Sequence, residues 1–333
     1  MTSLPFMIGK IKSADGLRSN FVTVKEFLKQ GKFSAVYLCE KSFDNYSLKI
    51  CFKESYEVEL DVLTNVDYRC AFGRRIVQMF DYGYSNHIDQ NFFVYETFNR
   101  SLSDYTNKKP SSRLSALEGL YVLYEYLGAL EYLHNRGLVY RNVKPSSLCI
   151  ESKNGPIFGK RLYLWELECC YRVDYSAFKD QEYIKKMKVI YENRKLKITN
   201  GIKYCSIQEH TNSEPAIIND IESWYYIGVK VFEGTLPWSS IKNSEEKLII
   251  EEKKNLNNVS NNFLRHTPVL YTSIFKLIEQ TNENGFKYVE AYQTIKKNIM
   301  QIDKNDTNML SIEEKNFYES ILSKRKEILT VTN

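Results

Sequence analysis

The sequence predicts an α+β fold in two lobes, with a sheet-rich first third and a helical remainder. Short runs rich in β-branched and aromatic residues, broken by Gly and Asn, extend from Phe21 to about Tyr95. After Leu102 apolar residues recur at helical spacing. The expected units, in chain order, are an N-terminal extension at 1–20, a sheet-rich lobe at 21–98, a helical lobe at 99–300 and a charged tail at 301–333.

The first lobe is predicted to be a sheet with one helix against it. Val58, Asp61 and Val62 fall at helical spacing within 56–64, which predicts a short helix between the third and fourth strands. The expected strands cover 24–28, 35–39, 47–52, 76–82 and 91–96.

The second lobe is predicted to be built from long helices. Leucines recur mostly every three positions from Leu114 to Leu133, and Gly137 suits the left-handed turn that ends a helix. A strongly apolar stretch ends at Gly234, with Pro237 beyond it, which predicts a second helix. This second helix is expected over 221–232, and the further expected helices cover 269–278, 289–299 and 312–329.

Composition and charge narrow the class of partner. Of 333 residues, 43% are hydrophobic and 14% aromatic, enough for a folded core. The 46 basic and 41 acidic residues give a net charge of only +5, too weak a bias to predict nucleic-acid or membrane binding. No apolar run approaches the length of about 18 residues that a membrane span requires. We therefore expect a monomeric soluble protein with another protein as its partner.

The cysteines and histidines predict neither disulfides nor a metal site. The seven cysteines contain no CxxC pair, and the four histidines lie far apart. Such scattered cysteines are typical of reduced thiols in a cytoplasmic or nuclear compartment.

Several segments, in a consistent order, carry a resemblance to a known family. Residues 140–147 (YRNVKPSS) resemble the protein kinase catalytic loop H-R-D-x-K-P-x-N in degenerate form. Further segments resemble the casein kinase 1 family: 94–102 (VYETFNRSL), 200–210 (NGIKYCSIQEH), 219–224, 234–238 (GTLPW) and 286–295 (FKYVEAYQTI). The sequence is similar to this family over about residues 20–300, nearest its tau-tubulin kinase-like branch. The resemblance implies a bilobal protein kinase-like fold, with an antiparallel sheet plus one helix in the N-lobe and a mainly helical C-lobe.

The catalytic loop departs from the family pattern where chemistry is needed. Asn142 stands at the position of the aspartate that accepts the substrate proton, and a neutral amide is no base, so assistance of about 10²–10⁴-fold is unavailable. Ser147 stands at the position of the asparagine that binds the second metal ion. Lys144 is retained, either to contact a phosphate or only to fold the lobe. Asp220, which in the family braces this loop, is also retained.

The metal-binding triplet D-F-G aligns with Glu166-Leu167-Glu168. Glutamate places its oxygens one methylene further out than aspartate, and Mg²⁺ demands near-octahedral geometry. Glu166 is therefore a poor candidate metal ligand, and we expect Glu168 to face solvent. The resemblance implies a defective magnesium site.

The phosphate-binding parts are altered to different degrees. Aligning Val36 with the family valine places Lys29, Gly31 and Ser34 at the three glycine positions of the cover over the phosphates. We interpret Lys29 as a solvated residue at a strand end. Lys49 and Glu59 match the lysine–glutamate pair of an active kinase, and their short separation predicts a helix clipped at its start.

The base pocket is closer to the family pattern. Leu28 and Val36 match its roof, Cys149 its floor, and Glu96 and Phe98 its hinge. Ser47 stands in for the usual alanine and Tyr95 is the expected gatekeeper, whose bulk narrows the pocket. We expect ATP to bind weakly if at all.

These departures favour a catalytically inactive pseudokinase that acts through protein–protein interaction. Two alternatives stay open: a weakly active serine/threonine protein kinase, and a switch that binds ATP without transferring phosphate. A run rich in lysine at 185–197, together with Lys203 at a family arginine position, suggests a surface for an acidic or phosphorylated partner. The alternative for this run is an exposed loop without a partner.

Overall fold

An antiparallel sheet with one helix forms the first lobe, and helices form most of the second. The computed structural model describes residues 10–11, 22–31, 34–41, 43–86, 88–151, 153–193, 201–211, 214–256, 262–281 and 285–302, with five further positions between 312 and 319. The expected α+β architecture is confirmed. The extension at 1–20, the tail at 301–333 and the helix expected over 312–329 lie almost entirely outside the described residues.

The sheet has six strands, with bounds β1 Lys10–Ile11, β2 Val22–Gln30, β3 Ser34–Lys41, β4 Asp44–Cys51, β5 Met79–Ser85 and β6 Gln90–Tyr95. Their spatial order is β1-β2-β3-β4-β6-β5, antiparallel throughout. The strand expected at 76–82 begins only at Met79. Ile76 instead forms a parallel bridge with Leu164 of the second lobe, and the Val77 N–H donates to the Leu164 carbonyl at 2.9 Å.

Helix α1 (Lys53–Thr64) packs against the inner face of this sheet. Val58 and Val62, one turn apart, are buried there, and Tyr56 stacks on Phe93 of β6 at 4.8 Å between ring centroids. Glu59, adjacent to Val58 and one turn before Val62, also lies on this buried face of the helix. The helix begins three residues before the predicted start, and the expectation that it is shorter at its start than the family helix stays a prediction.

The second lobe surrounds two long helices. Its helices are α2 Leu102–Asn107, α3 Ala116–His134, α4 Gln181–Asn193, α5 Ile217–Glu233, α6 Glu246–Asn255, α7 Ser273–Glu279 and α8 Tyr288–Met300, and its short strands are β7 Arg100–Ser101, β8 Leu138–Val139, β9 Leu148–Ile150, β10 Leu162–Leu164 and β11 Tyr171–Arg172. A Ser115–Glu118 capping box begins α3, which packs against α5. Gly137 has a φ of 67°, and a Cβ there would lie 2.5 Å from Asp174 Cβ, so the turn after α3 requires glycine. No helix among the described residues is long and apolar enough to span a bilayer.

Helix α4 is one of several elements that the sequence did not predict, with α2, α6 and the short strands of the second lobe. Ile184, Met187 and Tyr191 lie on one face at spacings of three and four residues, and all three are buried. The alternative of an exposed loop for 185–197 is therefore wrong for 185–193, which are helical, and 194–197 lie outside the described residues. The lysines between these apolar positions obscured the helical pattern.

Candidate functional site between the lobes

Lys49 lies on β4, and its ammonium group is bracketed by two carboxylates. Its Nζ is 2.6 Å from Glu59 Oε2 and 2.7 Å from Glu168 Oε2. All three residues are buried, and Glu168 is only 5% exposed. The expectation that Glu168 faces solvent is therefore wrong, because it is a second internal partner of Lys49.

This cluster leaves no surplus positive charge. Burial opposes the charge on Lys49, but Glu168 and Glu59 outweigh burial and raise the pKa of Lys49 above its usual value. Burial raises the pKa of Glu59 to about 7, and the attraction of Lys49 offsets this only in part. One ammonium group thus faces two carboxyl groups, so the cluster offers a phosphate no net attraction.

Glu166, between β10 and β11, forms the centre of a second cluster. Its backbone is left-handed, with φ 62° and ψ 51°. Its Oε1 accepts from Lys29 Nζ at 2.8 Å, while Oε2 accepts from Asn142 Nδ2 at 3.1 Å and lies 3.2 Å from Lys144 Nζ. Burial opposes ionisation, but Lys144 and Lys29 outweigh it and lower the pKa of Glu166 to about 2. The carboxylate is ionised and already engaged by three protein donors.

Lys29 connects the two lobes through this contact. It lies on β2 opposite Val36, and its side chain is 36% exposed. The interpretation of Lys29 as a solvated strand end is incomplete, because its ammonium group reaches Glu166 across the cleft. A cation therefore stands where the family pattern has a glycine.

Asn142 and Ser147 are both buried in the catalytic loop. No donor among the described residues bonds to Asn142 Oδ1. Ser147 Oγ lies 2.7 Å from the Asn142 carbonyl oxygen and 3.0 Å from Tyr126 Oη. The serine hydroxyl therefore supports the loop from within the lobe rather than facing the cleft.

Aromatic side chains fill the region expected to hold the base. Trp165 is 2% exposed, and its ring centroid lies 5.2 Å from that of Phe98 and 6.2 Å from that of Tyr95. The Phe98 N–H donates to Ser47 Oγ at 2.7 Å. Sequence reasoning missed Trp165, although a large aromatic residue directly before the acidic triplet was a visible signal.

Some of the other predicted pocket residues are buried, and the rest are exposed or bonded to residues elsewhere. Val36 and Cys149 are buried, at 3% and 0% exposure. Leu28 is 36% exposed within an irregular part of β2, and the Gly31 N–H donates to the Ser34 carbonyl at 2.7 Å. Glu96 is bonded to Arg161 and accepts the Gln78 N–H at 2.7 Å. Only some of the expected lining thus surrounds the cleft.

Asp220, at the start of α5, holds the catalytic loop in place. Its carboxylate accepts the backbone N–H groups of Tyr140 at 2.6 Å and Arg141 at 2.8 Å, and contacts His134 Nε2 at 2.8 Å. Arg141 has a φ of 61°, a left-handed conformation that needs such support. The supporting framework of the loop is intact.

A buried carboxylate on α1 clamps helix α4 to the first lobe. Asp61 Oδ2 is 2.8 Å from Arg172 Nη2 and accepts from the Tyr191 hydroxyl at 2.5 Å. Tyr183 donates to Oδ1 of the same carboxylate. At the surface, Lys186 adds an exposed ion pair with Glu57 at 3.2 Å. Helix α1 is thereby held with Glu59 against Lys49.

A cavity of about 330 Å³ opens beside the catalytic loop. Its cationic side chains are Lys144, Lys203 and Lys230. Lys203 Nζ donates to the Ser239 carbonyl at 2.5 Å, and Lys230 donates to the Gly234 carbonyl. Carbonyl groups do not neutralise these charges, so the cavity, called here the basic pocket, is positively charged. The described ranges contain no cluster of three or more His, Cys, Asp or Glu side chains suited to a metal ion.

Comparisons with known proteins agree with this architecture. No family model matches the chain. It is 25% identical over 177 residues to the serine/threonine-protein kinase spe-6 of Caenorhabditis elegans, covering 52% of this chain and 44% of that protein. It is 25% identical over 221 residues to a probable casein kinase I homolog of Encephalitozoon cuniculi, covering 64% and 66% respectively. The chain thus spans less than two thirds of the length of these curated relatives, roughly half of one and nearly two thirds of the other.

Among solved structures, vaccinia related kinase 3 superposes with a TM-score of 0.69 over 91% of this chain and 93% of that one, at 18% identity. This likeness confirms the bilobal protein kinase-like fold. The curated relatives are a serine/threonine-protein kinase and a probable casein kinase I homolog, so the similarity to casein kinase 1 proteins is confirmed. The tau-tubulin kinase-like branch stays a prediction.

Proposed function

We propose that this domain is a pseudokinase, which does not transfer phosphoryl groups and acts by binding another protein. The observation that carries the proposal is the pair of closed ion clusters in the cleft. Lys49 is held by Glu59 and Glu168, and Glu166 is held by Lys29 and Lys144. Phosphoryl transfer depends on cationic and metal-binding groups that are available to the nucleotide, and here these groups bind one another.

The cleft residues do not fit a magnesium nucleotide. A purine ring would have to displace Trp165 from Phe98, and the Phe98 N–H would have to leave Ser47 Oγ. A magnesium ion would have to take Glu166 from two lysines, and Mg²⁺ is strict about its ligand geometry. With an amide at Asn142, the position that accepts the hydroxyl proton in active kinases carries no base. Each of these features, taken alone, disfavours either nucleotide binding or phosphoryl transfer.

A weakly active kinase is the second candidate, and the Lys49–Glu59 contact of 2.6 Å is the observation that favours it. Active kinases need this pair. Here Glu168 completes the coordination of Lys49, which weakens the argument, because the same ammonium group would have to serve a phosphate as well.

A thermal-shift experiment with ATP separates these candidates. We expect the melting temperature of the purified chain to be the same with and without ATP, both with and without Mg²⁺. A nucleotide at a hundredfold excess over its Kd would stabilise the fold by about 2.7 kcal/mol, which is a shift of several degrees. An active casein kinase 1 protein in the same assay is the positive control. A magnesium-dependent shift together with transfer of γ-phosphate to a protein substrate would show that the chain is a kinase.

We further propose that the partner presents an acidic or phosphorylated segment to the basic pocket. The support is the positive charge of Lys203 and Lys230, whose described contacts are to carbonyl groups, together with a cavity large enough for several side chains. The carboxylate or phosphate groups of such a segment would neutralise the positive charge of these lysines.

A charge reversal tests the pocket. We expect Lys203→Glu to weaken binding of a fluorescein-labelled peptide of aspartate and phosphoserine by about tenfold or more, since it replaces attraction with repulsion. Lys247→Glu on α6 is the matched control, because Lys247 is exposed, carries the same charge and does not line the pocket. Fluorescence anisotropy measures both affinities. Equal losses in the two variants would mean that only the overall charge attracts the peptide.

A further inference from the structure

Lys253 is a fully buried lysine outside the cleft. It lies on α6 and has 0% exposure. Its Nζ donates to the carbonyls of Ile202 at 3.0 Å and Cys205 at 2.6 Å, and to His210 Nε2 at 3.0 Å. Cys205 Sγ lies 3.6 Å from the same Nζ. An ammonium group has three N–H donors, so the three shorter contacts are enough to satisfy all of them.

The charge of Lys253 is stabilised without a carboxylate in contact. Among the described residues no acidic side chain forms an ion pair with it. Its Nζ instead lies 5.3 Å from the ring centroid of Tyr226 and 5.6 Å from that of Trp238, within the range of cation–π attraction. Burying an ammonium group is unfavourable unless every donor is satisfied, which ties Lys253 tightly to its acceptors.

One of those acceptors, Ile202, belongs to the wall of the basic pocket, and Cys205 directly follows the wall segment 201–204. Residues 201–204 line the pocket and form a turn in which the Gly201 carbonyl accepts from the N–H groups of Tyr204 and Cys205, each at 3.1 Å. The carbonyl groups that follow Gly201 have no such partner within the turn's backbone and need one from elsewhere. Lys253 bonds to the Ile202 and Cys205 carbonyls, and Trp238 Nε1 donates to the Lys203 carbonyl between them at 2.8 Å. Three carbonyl groups of this short segment are therefore held by side chains that lie outside it.

His210 connects the same lysine to the start of α6. Because Nε2 accepts from Lys253, the ring carries its proton on Nδ1, which lies 2.6 Å from Glu246 Oε1. Lys253 is thus anchored both to the pocket wall and, through His210, to its own helix. The wall cannot shift without breaking these bonds.

We propose that Lys253 is the positioning residue of the basic pocket, which fixes the segment carrying Lys203 so that an acidic partner meets its ammonium group in place. Lys253 itself does not line the pocket. This inference rests on the proposed binding of an acidic partner, because it concerns the affinity of that same site.

The test compares Lys253→Met with Lys254→Met, its exposed neighbour on α6. We expect Lys253→Met to lower the affinity for the fluorescein-labelled aspartate–phosphoserine peptide by about tenfold, because hydrogen bonds from a charged group are lost. We also expect faster amide hydrogen exchange at 201–205. Lys254→Met, which removes the same charge from the surface, should change neither measurement. Lys253→Arg keeps the charge and donors and is expected to restore binding.

The outcomes are distinguishable. If Lys253→Met does not fold, Lys253→Gln, which keeps two donors, is judged by the same measurements. If the unmodified chain does not bind the peptide, the proposed partner is wrong, but the exchange experiment still tests Lys253. Unchanged exchange at 201–205 in the folded Lys253 variant, or full peptide affinity in that variant, overturns the positioning role.

Discussion

Lys49→Met is expected to destabilise the fold by about 3–5 kcal/mol, because it leaves Glu59 and Glu168 buried side by side without their shared cation. The measurement is the free energy of unfolding in urea, followed by circular dichroism. The loss should be smaller at pH 5 than at pH 8. Glu59 already has a pKa of about 7, and without Lys49 that pKa rises further, so protonation at lower pH neutralises the unpaired carboxyl groups.

The control for this prediction replaces the whole cluster. In the triple variant Lys49→Met, Glu59→Leu, Glu168→Leu no buried charge is left unpaired, so most of the lost stability should return. A Lys49→Met protein within about 1 kcal/mol of the unmodified chain would contradict the idea that this lysine is a structural centre, since losses that small are typical of exposed ion pairs.

Asp61→Ala is expected to cost a similar amount, about 3–5 kcal/mol, because it leaves the buried Arg172 guanidinium without its carboxylate. Helix α4 should also detach from α1 and unfold locally, so that the peptide bonds after Lys185 and Lys188, whose side chains are already exposed, become susceptible to trypsin. The measurements are the free energy of unfolding and the rate of tryptic cleavage within α4.

Glu57→Ala is the matched control, because Glu57 lies one turn earlier on the same helix and pairs with α4 through the exposed Lys186. An exposed pair contributes at most about 1 kcal/mol, so this variant should keep α4 protected. Equal cleavage rates in the two variants would show that Asp61 is not the clamp.

The sequence predicted the framework of the molecule better than the interior of its cleft. The fold class and the inward placement of Glu59 follow from apolar periodicity and from the order of the motifs. Both signals are summed over many residues, so single substitutions do not remove them. The partners of Glu168 and Lys29 could not be read in this way, because the motif alignment shows which family residue is missing but not which contact replaces it. The Lys29–Glu166 pair joins residues 137 positions apart, beyond the reach of any local pattern.

Two further features, the position of Trp165 and helix α4, were not predicted, for different physical reasons. Trp165 was visible as an aromatic residue, but whether it lies in or beside the base pocket depends on its rotamer and on Phe98. Helix α4 has a short apolar stripe, and its stability comes from Asp61, which is supplied by a distant helix. Tertiary contacts of this kind override local composition.

The ion pair between Lys29 and Glu166 bears on how far the two lobes can move apart. In an enzyme the two lobes swing apart and together so that substrate enters and product leaves. Here that movement would separate the half-exposed Lys29 ammonium group from the Glu166 carboxylate, so this ion pair favours the closed arrangement of the lobes. Under the proposed function, a protein partner would meet a cleft surface that this ion pair helps to pre-organise, and less conformational freedom would be lost when the complex forms.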